Sequence, residues 1–175
     1  KKSDYDPKGE FNLERYISAH AIMISFEGIP AIYFNSMFGT SNDEAKFIIT
    51  GNNRDVNRYR WNFKNITSKL KNDKSKQSIV YQNICNLLKI RKKQKAFHPN
   101  ASRQNINFGS NFFSFKRVSI DKKQTIICFT NMSSKSQSVL LGNNENKYKN
   151  LLSKNVNIIC KRLILKPFET VWLSN

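Results

Sequence analysis

Several charged and amide side chains lie in one short stretch of the sequence and form its strongest candidate for a chemical role. They are Arg54, Asp55, Asn57, Arg58 and Arg60. Arg54 and Arg58 lie four positions apart, so their guanidinium groups can converge on a single anion. A planar guanidinium forms two parallel hydrogen bonds with a phosphate or a carboxylate. The spacing therefore predicts an anion site, with Arg54, Asn57 and Arg58 as substrate-binding residues.

The acidic residues near this cluster leave a second interpretation open. Arg54 and Arg58 can instead pair with carboxylates and fasten a long loop; the candidates are Asp43, Glu44 and Asp55. Asp43 has two interpretations of its own. Asp favours turns, which makes it a loop-ordering residue, and its carboxylate can also bind a sugar hydroxyl directly. We therefore include Asp43 among the candidate substrate-binding residues.

The cysteines and histidines do not form the pattern of a metal site. Cys85, Cys128 and Cys160 are separated by tens of residues, and the two histidines lie far from them. Zinc sites require closely spaced pairs of such ligands, and disulfide frameworks require an even number of cysteines. We expect buried free thiols, no metal and no organic cofactor.

The first half of the chain has the pattern of an α/β unit. Apolar residues at helical spacing predict a helix from Asn12 to about Phe26. The apolar run Ile29–Phe34 follows and predicts a strand that is buried on both faces, as in a parallel sheet. Residues 35–75 have weak periodicity and predict a long loop, which is uncommon unless it is functional. A second helix is expected at about Lys76–Lys95.

The second half changes to the alternating pattern of short strands, with polar turns between them. Its pattern predicts an all-β sandwich domain, with strands at Phe113–Arg117, Ile126–Thr130, Val139–Leu141, Lys147–Leu151, Leu163–Leu165 and Thr170–Leu173. The aromatic group of Phe112, Phe113 and Phe115 fits the core of such a domain. We place the domain boundary near residues 98–105, which gives domains 1–98 and 105–175.

The net charge suggests a different class of function. Lys and Arg number 30 against 12 Asp and Glu, a net charge of +18. A small basic nucleic-acid-binding protein is therefore the alternative function, with the aromatic strands as its stacking surface. Most of the cations are lysines, however, whereas base and phosphate contacts favour arginine. No signature of a nucleic-acid-binding module is present, and we expect no nucleic-acid partner.

Four segments together resemble the C-terminal third of sucrose-phosphorylase-like enzymes of the α-amylase superfamily. They are GIPAIYFNSMFGTSND at 28–43, TGNNRDVNR at 50–58, AFHPNASRQ at 96–104 and the terminal PFETVWL. The motif G-[IV]-P-x-[IV]-Y after a helix marks the eighth strand of the catalytic barrel in that superfamily. The segments that follow it are typical of the phosphorylase-like branch. The order and spacing of these motifs match along essentially the whole chain.

The resemblance implies a fold and a reaction. The fold is α/β plus all-β: the last helix–strand–helix units of a (β/α)8 TIM barrel, followed by a small C-terminal β-sandwich. The reaction is that of a retaining α-glucoside phosphorylase, which transfers a glucosyl unit from a small glucoside to phosphate. The donor can be sucrose, a phosphorylated sucrose or glucosylglycerate, and hydrolysis is a variant of the reaction. In the family, the matching arginine segment lies on the acceptor side of the active-site entrance.

The catalytic carboxylates of the family are missing from this sequence. Family members use an Asp nucleophile, a Glu acid/base and a second Asp that binds the sugar, and none of the 12 acidic residues matches those motifs. We expect the chain to be a fragment of a larger cytoplasmic enzyme and to be inactive alone. Its expected partners are a small sugar, phosphate and the N-terminal part of the barrel. No membrane partner is expected, because the longest apolar stretch, 19–34, is interrupted by polar residues.

Overall fold

The computed structural model describes Asp6 and residues 8–153 and 158–175. The chain divides into two compact units. The first unit comprises the residues up to Pro30 together with Leu87–Asn175, and the second comprises Ala31–Asn86.

The first unit begins with the predicted helix α1, Asn12–Ser25, which packs against two β-strands, Thr125–Asn131 and Thr170–Ser174. Its buried face includes Ala21 and Ile24, as the periodicity predicts, and also Ser18 and Ser25. Both hydroxyl groups donate to carbonyls of the preceding turn, at 2.9 Å for Ser18 and 2.8 Å for Ser25. These bonds allow polar side chains to lie in the core without an unpaired donor.

The segment Ile29–Phe34 does not form the predicted buried strand. Residues 29–33 have no regular secondary structure and pair with no strand among the described residues, and Phe34 begins the short helix α2, Phe34–Met37. Ile29 is 84% exposed, and Tyr33 and Phe34 are more than half exposed. An apolar run becomes a buried strand only where neighbouring strands satisfy its backbone and other elements cover its faces. The described residues supply no such strand.

The second unit contains helices where a long loop was predicted, so that prediction is wrong. α3 spans Glu44–Thr50 and α4 spans Phe63–Lys71, with a 3-10 turn at Asn53–Asn57 between them. Each helix begins at a residue whose side chain accepts a backbone N–H, Asp43 for α3 and Asn62 for α4. Helices this short depend on such caps more than on apolar periodicity, and periodicity alone did not reveal them.

The long helix α5, Lys76–Lys92, confirms the second predicted helix. It runs through the division between the two units. One face of this helix is buried, with Val80, Ile84, Leu87 and Arg91. A short 3-10 helix at Lys95–Phe97 follows it.

The remainder of the first unit is antiparallel β-structure in two sheets. The strands are β1 Ser102–Asn105, β2 Phe112–Val118, β3 Thr125–Asn131, β4 Gln137–Leu140, β5 Lys149–Asn150, β6 Ile158–Ile159, β7 Arg162–Leu165 and β8 Thr170–Ser174. The five-stranded sheet has the order β1-β2-β3-β8-β5, and the three-stranded sheet has the order β4-β7-β6. All six predicted strands are present, and β1 and β6 were not predicted.

Both sheets contribute side chains to one buried cluster. Ile127 and Phe129 come from the larger sheet, and Leu163 and Leu165 come from the smaller one. Phe112 packs against this cluster, whereas Phe115, on the opposite face of β2, is buried beside Phe26 with ring centroids 5.3 Å apart. Phe113 is 37% exposed, so the expected core position holds for two of the three phenylalanines. The chain thus combines helices with antiparallel sheets.

Two buried arginines bind the backbone around the C-terminal end of α1. Arg91 and Arg117 are 8% and 0% exposed. Their acceptors are backbone carbonyl oxygens: those of Ile24, Phe26 and Gly28 for Arg91, and those of Ser25, His98, Ala101 and Ser102 for Arg117. Burial lowers the pKa of both guanidinium groups, but an arginine remains protonated in proteins. The paired cations complement the negative end of the helix dipole.

The three cysteines are free thiols, but they are not all buried. Cys128 is buried in β3, and burial raises the pKa of its thiol to about 12. Cys85 is half-buried and Cys160 is exposed. Cys160 follows β6 directly and has a positive φ of 48°. A residue in such a turn between strands is solvent-exposed, which corrects the expectation of three buried thiols.

Candidate functional site

The 3-10 turn Asn53–Asn57 brings three of the four predicted site residues to one cavity. The cavity has a volume of about 380 Å³ and is lined by Tyr33, Asn53, Arg54, Asn57 and Arg58. The turn begins at Asn52, whose side-chain oxygen accepts the N–H of Arg54 at 3.0 Å. This local bond fixes the backbone that carries both arginines.

Asn35 holds the other end of the turn. Its Nδ2 donates to the carbonyl oxygens of Asn57 at 3.1 Å and Tyr59 at 3.0 Å, and the side chain is buried. Neither Asn35 nor Tyr33 was singled out from the sequence, because both lie within or just after an apolar run that predicted a strand. Asn35 itself could have been noticed, because it is a single amide directly after the apolar run and an amide that is buried must find hydrogen-bond partners.

Asp43 lies at the start of α3 and does not line the cavity. Its Oδ1 accepts the N–H of Lys46 at 3.0 Å, which caps the helix. Its own N–H donates to the carbonyl of Val56 at 2.7 Å. Asp43 therefore ties the helix to the arginine-bearing turn, in keeping with the loop-ordering interpretation.

Asp55, which follows Arg54 in the sequence, forms an ion pair with Lys46. Lys46 Nζ lies 2.9 Å from Asp55 Oδ1. Hydrogen bonds from Lys46 and Thr50 hold the pKa of Asp55 below its usual value, with smaller attractions from the charges of Lys46 and Arg58. The alternative interpretation paired Arg54 and Arg58 with Asp43, Glu44 or Asp55. Over residues 8–153 and 158–175, no ion pair includes either arginine.

The cavity consequently presents cationic donors without a carboxylate in its lining. Both guanidinium groups are exposed, and the phenol of Tyr33 and the amides of Asn53 and Asn57 add hydrogen-bonding groups beside them. Guanidinium groups bind phosphate and carboxylate oxygens with charge-assisted hydrogen bonds. The arrangement suits a small anion that carries hydroxyl groups.

The described part of the chain lacks a metal centre and a membrane-spanning helix. No group of three or more His, Cys, Asp and Glu side chains there is placed to hold a metal ion. No helix among those residues has the length and apolar character needed to cross a membrane.

Curated proteins similar to this chain are glucosylglycerate phosphorylases. The Escherichia coli K12 enzyme is 30% identical over 160 residues, which is 91% of this chain and 28% of the relative. The enzyme of Allomeiothermus silvanus is 28% identical over 169 residues, with 96% of this chain and 28% of the relative covered. The chain thus spans little more than a quarter of the length of these relatives. No family model matches it.

Solved structures with the same fold are sugar-active enzymes. Trehalose-6-phosphate hydrolase of Bacillus licheniformis superposes with a TM-score of 0.70 at 15% identity, over 98% of this chain and 40% of the neighbour. A trehalulose synthase variant superposes with a TM-score of 0.72 at 15% identity, over 97% and 40%. At this identity the likeness concerns the fold. Together with the curated relatives, it confirms the predicted resemblance to the C-terminal part of phosphorylase-like enzymes of the α-amylase superfamily.

Proposed function

We propose that this chain, similar to glucosylglycerate phosphorylases, is the C-terminal part of a retaining α-glucoside phosphorylase. In this proposal residues 1–98 complete a (β/α)8 barrel and residues 105–175 form a β-sandwich. The enzyme transfers a glucosyl unit from a small glucoside to phosphate. The names of the curated relatives favour glucosylglycerate over sucrose or a phosphorylated sucrose as the donor.

The observation that carries the proposal is a pair of arginines that line one cavity and form no ion pair among the described residues. Phosphorolysis of glucosylglycerate involves two anions in turn, the glycerate carboxylate that leaves and the phosphate that enters. Retaining enzymes form a covalent glucosyl-enzyme between these steps. The acceptor side must therefore bind a carboxylate first and a phosphate second. A guanidinium accommodates both with the same planar pair of N–H donors.

The other proposed site residues have separate roles. Asn57 lines the cavity beside the arginines and supplies an amide for a substrate hydroxyl group or an anion oxygen. Asp43 caps α3 and is bonded to the turn through Val56, so its role is to position the arginines. The nucleophile and the acid/base, which retaining enzymes place about 5–5.5 Å apart, come from the remainder of the enzyme.

The proposal also specifies the co-substrate, the cofactors, the partners and the compartment of the enzyme. Phosphate is its co-substrate, no metal or organic cofactor is required, and neither nucleic acid nor membrane is a partner. Free thiols such as those of Cys85, Cys128 and Cys160 are kept reduced in the cytoplasm, where we place the enzyme.

Incubated alone with glucosylglycerate and phosphate, this chain should release no glucose 1-phosphate.

The deciding experiment is Arg54→Ala in the complete enzyme. Phosphorolysis should fall further than hydrolysis, because water needs no cation whereas an incoming phosphate dianion does. Losing one charge-assisted contact costs about 1.5–3 kcal/mol, or roughly ten- to a hundred-fold in kcat/KM for phosphate. Arg54→Lys should recover only part of this loss, because an ammonium cannot form the paired bonds of a guanidinium.

The matched control is Arg60→Ala, which removes an exposed arginine that does not line the cavity. It should leave the ratio of phosphorolysis to hydrolysis unchanged. Equal losses of both reactions in Arg54→Ala, with a lower melting temperature, would assign Arg54 to holding the turn and refute the anion-binding role.

A further inference from the structure

A second polar cavity lies in the first unit, on the face of the larger sheet that also meets the smaller sheet. Its volume is about 540 Å³, within the range of about 300–1,000 Å³ that is typical of small-molecule sites. Its floor contains Gln104, Lys116 and Ile127, which are aligned across β1, β2 and β3 by the strand register. Its walls include Phe108, Glu145 and Tyr148.

The cavity exists because the smaller sheet covers only part of this face. Farther along the same row, Ile127 and Leu173 are buried in the shared core. In the other direction, toward β1, the cross-strand neighbours of Ile127 are Lys116 and then Gln104. A lysine facing a closed core without a partner would carry a large desolvation cost. The polar end of the row is therefore suited to a surface that receives a polar ligand.

The walls are held in place independently of any ligand. The ring of Phe108 packs against Phe129 with centroids 4.9 Å apart. The side-chain oxygen of Asn107 accepts the N–H of Gly109 at 2.9 Å. On the other side, the N–H of Tyr148 donates to the carbonyl of Glu145 at 3.1 Å and closes a 3-10 turn. A preformed wall reduces the ordering cost of binding.

Among the polar side chains of this cavity, Asn105 and Asn107 accept hydrogen bonds through their side-chain oxygens. Four others form no hydrogen bond or ion pair within the part of the chain that the structure describes: Gln104, Lys116, Glu145 and Tyr148. Together they offer an amide, an ammonium, a carboxylate and a phenol. All of these except Gln104 are partly buried, and partly buried polar groups gain most from a ligand that satisfies donors and acceptors together.

The balance of charge in the lining indicates the class of ligand. One cation and one anion cancel, and Glu145 would repel a phosphate or a nucleic-acid backbone. The hydroxyl groups of a sugar both donate and accept hydrogen bonds, and its apolar ring face can lie against an aromatic ring such as Phe108 or Tyr148. We propose that this cavity is a binding site for a neutral saccharide, carried by the β-structure and separate in sequence from the arginine-lined cavity.

Gly142 sets the position of the carboxylate in this site. A Cβ built at Gly142 would collide with Oε2 of Glu145, so the absence of a side chain there leaves room for that oxygen. Gly142→Ala therefore moves the carboxylate without changing its charge. This substitution tests the placement of Glu145 rather than its presence.

The experiment is an NMR titration of the whole chain with methyl α-D-glucoside and with sucrose, following backbone and side-chain amide shifts. The expected shifts are concentrated at 104–108, 116 and 145–148. Lys116→Met should weaken the affinity roughly tenfold, the usual consequence of losing a hydrogen bond to a charged group. Tyr148→Phe, which retains the ring, and Gly142→Ala should each weaken it by a smaller factor.

Lys147→Met is the matched control, because Lys147 lies in the same 3-10 turn, is exposed and does not line the cavity. It should bind the sugars as the wild type does, and each variant's melting temperature shows whether it is folded. The proposal is overturned if neither sugar shifts these residues, if the shifts fall only at 53–58, or if inorganic phosphate shifts them and the sugars do not. Equal weakening by Lys116→Met and Lys147→Met in folded proteins also overturns it.

Discussion

Lys46 and Asp55 form an ion pair that joins α3 to the arginine-bearing turn, with Nζ 2.9 Å from Oδ1. The pair engages a carboxylate that is adjacent in sequence to Arg54, and the charge of Arg58 also acts on that carboxylate. In the proposed anion site the lysine has an electrostatic role as well as a structural one, because it neutralises a carboxylate that would otherwise repel a phosphate bound at the arginines.

Lys46→Met should weaken phosphate binding to the chain by up to about fivefold, since interactions of exposed charges contribute about 1 kcal/mol or less. The measurement is calorimetry at fixed ionic strength. The double substitution Lys46→Met with Asp55→Asn should restore the affinity, because the freed carboxylate is then removed as well. Lys69→Met is a control of equal charge on the exposed surface of α4. An equal effect of Lys69→Met would show that only net charge matters.

Arg117→Met should destabilise the chain strongly. Arg117 is fully buried and donates to carbonyls of four residues, so its loss leaves buried acceptors unpaired. We expect the free energy of unfolding to fall by about 3 kcal/mol or more. Arg103→Met removes an arginine that binds Glu27 nearer the surface and should cost about 1 kcal/mol or less. Urea denaturation of both variants measures the difference; comparable losses would contradict the role assigned to Arg117.

Gly39→Ala should cost more stability than Gly51→Ala, although both glycines have positive φ, 55° and 64°. Each substitution strains the backbone by about 1–2 kcal/mol. At Gly39 the new Cβ would also lie 3.0 Å from Cγ2 of buried Val80, whereas at Gly51 nothing lies within 4 Å. Overpacking adds roughly 1–3 kcal/mol. Gly51→Asn should be tolerated better than Gly51→Ala. Equal midpoints in urea for the two alanine variants would show that Val80 can move aside.

Asp121 should contribute to a loss of stability in acid. A hydrogen bond from Ser119 at 2.6 Å, with further bonds from Lys123 and Lys95, lowers the pKa of its carboxyl to about 2. A carboxyl group whose pKa is lower in the folded state stabilises the protein fully at pH values above its ordinary pKa, which is 3.8 for Asp. This contribution disappears as the pH falls toward 2.

Asp121→Asn should therefore lose less stability than the wild type between neutral pH and pH values near the lowered pKa. Urea midpoints measured at both pH values give the comparison. Asp73→Asn serves as a control, because Asp73 lies in an exposed turn and accepts one bond, from Gln82 at 3.1 Å. Parallel curves for wild type and Asp121→Asn would contradict the assignment.

The elements that the sequence predicted correctly are those with regular apolar periodicity. α1, α5 and six strands have such a pattern, and each was placed within a few residues of its observed bounds. β1 was missed because its residues, Ser102–Asn105, are all polar and exposed at a sheet edge. Only its backbone pairing with β2 defines it as a strand, and pairing between distant residues leaves no local pattern.

The candidate site was predicted in part. Arg54, Asn57 and Arg58 were identified because their side-chain types alone indicate anion binding, and the structure places them at one cavity. Asn35, which holds their turn, could not be identified because its two acceptors are backbone carbonyls 22 and 24 residues away. The prediction of a buried strand at Ile29–Phe34 was wrong for a related reason. A local apolar pattern specifies that a segment can be buried, whereas burial depends on the elements that cover it.

The exposed apolar side chains of Ile29, Tyr33 and Phe34 have a consequence for how the purified chain behaves in solution. Apolar surface of this kind favours association between copies, while the net charge of +18 keeps them apart. The repulsion acts over about 10 Å at 0.1 M salt and over about 3 Å at 1 M. Copies at low ionic strength are therefore held apart by charge, and added salt removes that protection while it strengthens the apolar attraction. Salt concentration therefore governs whether the chain stays dispersed.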